Sequence, residues 1–177
     1  MNSWFSSALI ATFVSSLVTA FGWFVSHRNL RRLEEARRGE KVLDVQTALI
    51  AEIKTNTSRF DDTDLQAHAD EMRDLILTSR KAYTPFVPRY AGTMVFDAVI
   101  KEIHILPTDT IQDVIAYYKQ EYALRDLAED LRGDEFSKLD KTRKAGIYVP
   151  FNFQIETAKR QGKLAIGAML RNTGQHE

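Results

Sequence analysis

The chain has 177 residues, of which 44% are hydrophobic, with 24 Lys and Arg balanced by 24 Asp and Glu. That is enough apolar material for one buried core, and it lacks the basic excess of a dedicated nucleic-acid binder, so no nucleic-acid partner is expected. Cysteine is absent, which removes disulfides, thiolate zinc sites and Cys nucleophiles together.

Charge is distributed unevenly. Residues 1–26 contain no Asp, Glu, Lys, Arg or His. The apolar stretch from Trp4 to Val25 would be roughly 33 Å long as a helix, enough for a hydrocarbon core of ~30 Å. Trp4 and Trp23 sit near its ends, where aromatic rings favour the headgroup level. The expectation is a single transmembrane helix over 1–26. A cleaved signal peptide is the competing reading, with small residues at Val18, Thr19 and Ala20. The n-region carries no Lys or Arg, however, and apolar residues continue to Val25.

One face of this segment is built from small residues. Ser7, Ala11, Ser15, Thr19, Gly22 and Ser26 recur at spacings of four and three, opposite Leu9, Phe13, Leu17, Phe21 and Phe24. Small residues let helix backbones approach closely in lipid, so this face is a candidate contact with another membrane protein or with a second copy. Behind it come Arg28, Arg31 and Arg32, a basic flank suited to the membrane surface. Over residues 27–41 basic side chains outnumber acidic ones by three. The positive-inside rule then places the N-terminus outside and the C-terminal bulk in the cytoplasm of a bacterial inner membrane.

From Leu30 onward the periodicity is helical. Leu30, Leu33, Val42, Val45, Leu49 and Ile53 mark a juxtamembrane stalk over 27–60, with Gly39 its weak point. Asp61, Asp62 and Thr63 offer caps for a helix carrying Leu65, Met72, Leu75 and Ile76. Pro85 and Pro88 mark a connector over 83–89. Val95, Phe96, Val99, Ile100 and Ile103 give the next element, which Pro107 stops. Asp109 and Gln112 have capping-box spacing before a helix with Ile111, Val114, Ile115, Tyr118, Tyr122, Leu127 and Leu131 on its apolar face. Of Tyr117 and Tyr118, one is expected in the core and the other at the rim. A rim tyrosine near Phe86 or Tyr90 would be an anchor for a partner.

Gly133 ends that helix. Asp134 and Glu135 open a short one that Lys138, Lys141, Arg143 and Lys144 close, following the helix dipole. Tyr148 to Phe153 has strand-like composition, but Pro150 favours a turn into a last helix with Ile155, Ala158, Ala165, Ile166, Met169 and Leu170. The whole reads as an all-α chain, with the transmembrane helix and stalk followed by a small helical domain over 61–172 and a loose tail over 173–177.

The stretch 95–148 carries Val95-Phe96-Asp97-Ala98, Glu102 to Pro107, Tyr117-Tyr118 and Asp130-Leu131-Arg132-Gly133-Asp134 in this order. In this it resembles short single-pass bacterial membrane proteins of uncharacterised function, some of them prophage-encoded. The resemblance implies a one-span architecture with a helical cytoplasmic domain and supplies no catalytic residues.

Chemistry-bearing motifs are missing. There is no Gly-rich phosphate loop, no His-Glu-x-x-His, no acidic calcium loop and no Gly-x-Ser-x-Gly. Glu102 and His104 fall on different helix faces. His104 and Asp109 are the one pair able to meet across the Pro107 turn, and the acids from Asp61 to Asp74 read as a solvated face. No catalytic, cofactor-binding or metal residue is therefore assigned, and no cofactor is expected. The leading expectation is a membrane-anchored scaffold or adaptor with lipid, a membrane protein and a cytoplasmic protein as partners. The alternatives are a spanin-like lysis protein with a periplasmic domain and a metal-dependent enzyme or sensor using His104.

Overall fold

The computed structural model describes residues 3–80, 83–90 and 92–173, with side chains described over 21–80, 83–90 and 92–171. Every regular element among them is helical, in agreement with the all-α reading. In chain order they are α1 (Ser3–Ser58), α2 (Leu65–Thr78), α3 (Met94–Val99), a 3-10 helix (Ile100–Ile105), α4 (Thr108–Arg132), α5 (Asp134–Lys138) and α6 (Lys141–Thr173). The chain divides into two compact units, 1–43 and 44–177.

The first unit is the leading part of α1. Among the described residues no helix is long and apolar enough to cross a membrane. Most of the expected span lies outside the described side chains, including Ser7, Ala11, Ser15 and Thr19. Gly22 and Ser26 are exposed, and Gly22 has no side chain packed against it. Arg28, Arg31 and Arg32 are exposed as well, as are Phe21, Trp23 and Phe24. The Trp23 indole stacks on the His27 ring at 5.4 Å. The helix runs through Gly39 without a break.

The second unit holds the core. α6 packs along α2 on one side and α4 on the other. Residues 44–58 of α1 belong to this unit and bury Gln46, Leu49, Ile53 and Asn56. The expected stalk over 27–60 therefore has its last turns inside a packed domain. Gly162 sets the closest approach. A Cβ there would stand 3.0 Å from Thr57 Cγ2, 3.1 Å from Ile53 Cγ2 and 3.2 Å from Tyr117 Cε2. A side chain at 162 would press on Ile53, Thr57 and Tyr117, where α1, α4 and α6 come together.

Several local expectations change. α2 is capped by Asp64, not by Asp61 to Thr63, and its carboxylate accepts from the amides of Gln66 at 3.1 Å and Ala67 at 3.0 Å. α4 starts at Thr108, so Asp109 lies inside its first turn rather than at a capping box. Two amides there, of Thr110 and Ile111, bond the Pro107 carbonyl instead. Ile100 to Ile105 tightens into 3-10 geometry ahead of Pro107.

The largest change concerns α6. It begins at Lys141 and continues through Gly146 and Pro150, so 148–153 is neither a strand nor a turn. A proline inside a helix costs ~3 kcal/mol, through a lost N–H bond and a clash with the carbonyl four residues back. Here that residue is Gly146, the most adaptable backbone available. Burial of Tyr148, Phe151, Ile155 and Ala158 along one face outweighs the penalty at roughly 1.5–3 kcal/mol for each large apolar side chain. Lys141, Arg143 and Lys144 consequently lie at the start of α6, not at the end of α5. Asp140 compensates by capping α6 through the Arg143 amide at 2.9 Å. The Lys141 ammonium reaches back to bond the Ser79 carbonyl near the end of α2. Lys144 is buried and donates to Thr84 Oγ1 at 3.1 Å.

Candidate functional site

Three arrangements in the second unit bring polar chemistry into or beside the core. The first is centred on Glu52. Its carboxylate accepts from the amides of Val95 at 2.7 Å and Phe96 at 3.1 Å, and from the Tyr118 hydroxyl at 2.7 Å. A carboxylate from α1 thereby satisfies the orphan donors at the start of α3, where the helix dipole also favours negative charge. Thr93 makes no capping bond to the helix and instead donates its hydroxyl to Asp97 at 3.0 Å. Above the bond, the Phe96 and Tyr118 rings stack 3.9 Å apart, nearly parallel at 8°. Burial, and then the bond to Glu52, push the Tyr118 hydroxyl well above the ordinary tyrosine range. The Tyr122 hydroxyl donates to Asp97 beside it.

The second arrangement lies around Glu121, buried on α4. Burial raises its pKa, opposed by Tyr117 and by the Arg59 charge. The Tyr117 hydroxyl lies near Glu121 and Asn56 but makes no hydrogen bond of good geometry with either. Among the described residues the Asn56 Nδ2, Gln46 Nε2, Tyr90 hydroxyl and Tyr117 hydroxyl are buried without a partner. Asn56, Tyr117 and Glu121 form a polar seam between the end of α1 and α4.

The third arrangement is a groove of about 370 Å³ beside that seam. The turn after α1, the start of α2, the connector over 83–90 and α6 contribute its walls. Phe60, Tyr90, Tyr148 and Phe151 supply rings. Tyr90 meets Phe60 and Phe151 at 6.2 Å, and Tyr148 meets Phe151 at 6.1 Å. Arg59 holds its guanidinium 5.1 Å from the Tyr90 ring centre and 5.5 Å from that of Phe60, while its Nε donates to the Asn56 carbonyl at 3.2 Å. The ring nitrogen His68 Nε2 lies 3.3 Å from the Tyr148 hydroxyl. Phe86, at the rim, is 85% exposed.

Of the residues singled out from sequence, Phe86 and Tyr90 line this groove. Arg28, Arg31, Arg32, Gly22 and Ser26 belong to the first unit. Tyr117 and Tyr118 are both fully buried, so neither serves as a rim anchor. Among the described residues no His, Asp and Glu group is arranged to hold a metal, and His104 is exposed on the 3-10 helix. The pocket of about 570 Å³ between α4 and α5 is lined by Leu127, Leu131, Phe136, Leu139 and Ile147 and gathers little polar chemistry beyond acids at its edge.

Glu52, Glu121 and His68 were missed because each reads as an ordinary polar position on its helix, and Arg59 because it reads as a charge in the turn after α1. The one available signal was the pairing of Phe86 with Tyr90 around Pro88. Scans with family models gave no match to the chain, and searches of curated proteins and of solved structures likewise gave none.

Proposed function

We propose that the chain is a single-pass protein of a bacterial inner membrane, with residues 1–26 as the span. The helical unit faces the cytoplasm, where it scaffolds or recruits another protein. One observation carries this reading: no ionisable side chain occurs before His27, and Arg28, Arg31 and Arg32 follow at once. An uncharged run of this length favours hydrocarbon over water, and the basic flank favours the cytoplasmic face. The exposed rings of Phe21, Trp23 and Phe24 just ahead of the flank suit the interfacial level. The small face of Ser7, Ala11, Ser15, Thr19, Gly22 and Ser26 is the proposed helix-helix contact, with a membrane partner or a second copy. A separate core in 44–177 leaves that unit free to act as the recruiting module.

Three experiments decide the reading. Lysed cells are fractionated by ultracentrifugation with and without alkaline carbonate. Retention in the pellet under both conditions is expected, and a chain that stays in the supernatant overturns the anchor. A C-terminal alkaline phosphatase fusion is expected to be inactive and a green fluorescent protein fusion bright. The reverse pattern would put the helical unit in the periplasm, as a spanin-like topology requires. Extraction in mild detergent is expected to recover a defined complex or homo-oligomer, and a strictly monomeric, partner-free chain would remove the scaffold role.

A further inference from the structure

We propose that the groove between the turn after α1, the start of α2, the connector and α6 binds a small aromatic carboxylate, with its ring between the aromatic walls and its carboxylate against Arg59. This does not depend on the membrane reading, because every wall belongs to the second unit.

Size comes first. At ~30 Å³ per water-sized group, 370 Å³ holds about a dozen such groups, the scale of a bicyclic ring bearing one carboxylate. That volume lies within the usual range for small-molecule sites. The walls then choose the ring. Phe60, Tyr90, Tyr148 and Phe151 already meet one another tilted or edge-on, the geometry in which a further aromatic ring gains most. Phe86 adds aromatic surface at the mouth that no protein group covers.

Charge selects the anion. No Asp or Glu lines the groove, whereas Arg59 does, together with His68. Among the described residues Arg59 has no carboxylate within ion-pair distance. Glu121, the acid electrostatically coupled to it, does not line the groove. Stacking against two rings and a bond to the Asn56 carbonyl orient the guanidinium before any ligand arrives. A planar fork fixed in this way matches a carboxylate in two-point contact and loses little freedom on binding. His68 and the Tyr148 hydroxyl place a second polar pair on the groove wall, available to a ring substituent.

The test uses the purified full chain in phosphatidylcholine nanodiscs, with protein-free nanodiscs as background. Calorimetric titration compares 2-naphthoate with its neutral counterpart 2-naphthamide. Saturable one-to-one binding is expected, at least ten-fold tighter for the carboxylate. Arg59→Met should bring the two ligands to parity, and Arg59→Lys should keep part of the preference because charge remains while the fork is lost. Phe86→Ala should weaken both ligands by a similar factor. Arg59 and Phe86 are exposed, so unchanged circular dichroism is expected for all three variants. Equal affinity for the two ligands, a preference that survives Arg59→Met, or no saturable binding up to ~10 mM, where affinity is negligible, would overturn the proposal.

Discussion

Leu30 and Leu33 belong to the same helix as Leu49 and Ile53, each pair at helical spacing within itself and with the same apolar chemistry. Yet the first pair is 56% exposed and the second is fully buried. The first pair lies in the unit 1–43 and the second in the unit 44–177. A helical stripe therefore states which side chains share a face, not whether anything covers that face. In the second unit α4 and α6 supply the cover, through contacts such as the one at Gly162. In the first unit the described apolar side chains remain available for lipid or for another helix.

The sharpest way to break this comparison is to truncate both pairs. Ile53→Ala should cost about 2–5 kcal/mol through lost burial and a cavity, lowering the melting temperature by roughly 5–15 °C. Leu33→Ala should change stability by less than ~0.5 kcal/mol. Equal effects in thermal unfolding would mean that the two units do not differ as described.

Next in size is Glu52→Ala, which removes the acceptor for two α3 amides and leaves the buried Tyr118 hydroxyl without a partner. A loss of about 1.5–3 kcal/mol is expected. Hydrogen exchange at the Val95 and Phe96 amides should accelerate, while that in the unit 1–43 stays unchanged. Gly162→Ala should follow. Overpacking of about 1–3 kcal/mol against Ile53, Thr57 and Tyr117 exceeds the ~1 kcal/mol that alanine gains in helix propensity. A stabilised variant would show that α6 has room to move away from α1 and α4.

The smallest effect concerns Glu121, and its sign follows from the raised pKa. The folded state holds this proton more tightly than the unfolded state, whose ordinary value is 4.5. As pH rises above that value the carboxyl must ionise in a buried site, so its contribution disfavours folding increasingly. Glu121→Gln should therefore raise the melting temperature at pH 8 by about 2–4 °C per ~1 kcal/mol recovered, and the gain should vanish toward pH 4. A difference independent of pH would rule out burial of an ionising group as its cause.

α4 shows how far the fold was legible. Its existence, length and Gly133 stop could be read from the residues, because periodicity and punctuation are local. The phase of its buried face could be read only in part. Burial follows Thr110, Val114, Tyr117, Glu121, Leu124, Ala128 and Leu131, at alternating spacings of four and three. The hydrophobic reading chose Val114, Tyr118 and Leu131, which are buried, but also Ile111, Ile115 and Tyr122, and it passed over Thr110 and Glu121 because they count as polar. Ile115 is in fact exposed. Burial raises the Glu121 pKa, and the Arg59 charge opposes that shift. The groove was less legible still, since its walls come from four separated stretches of chain.

By itself, the order of residues determined the helical class, the uncharged opening run and its basic flank, and the separation of most helices. Each follows from backbone propensity or solvation within a few turns. Tertiary structure alone decided that Glu52 would cap a helix 43 residues away. It also decided that α6 would run through Pro150, and that Arg59 would stand over two rings at an acid-free groove. Those outcomes depend on what distant segments bury against one another, and burial can outweigh a local preference of ~3 kcal/mol.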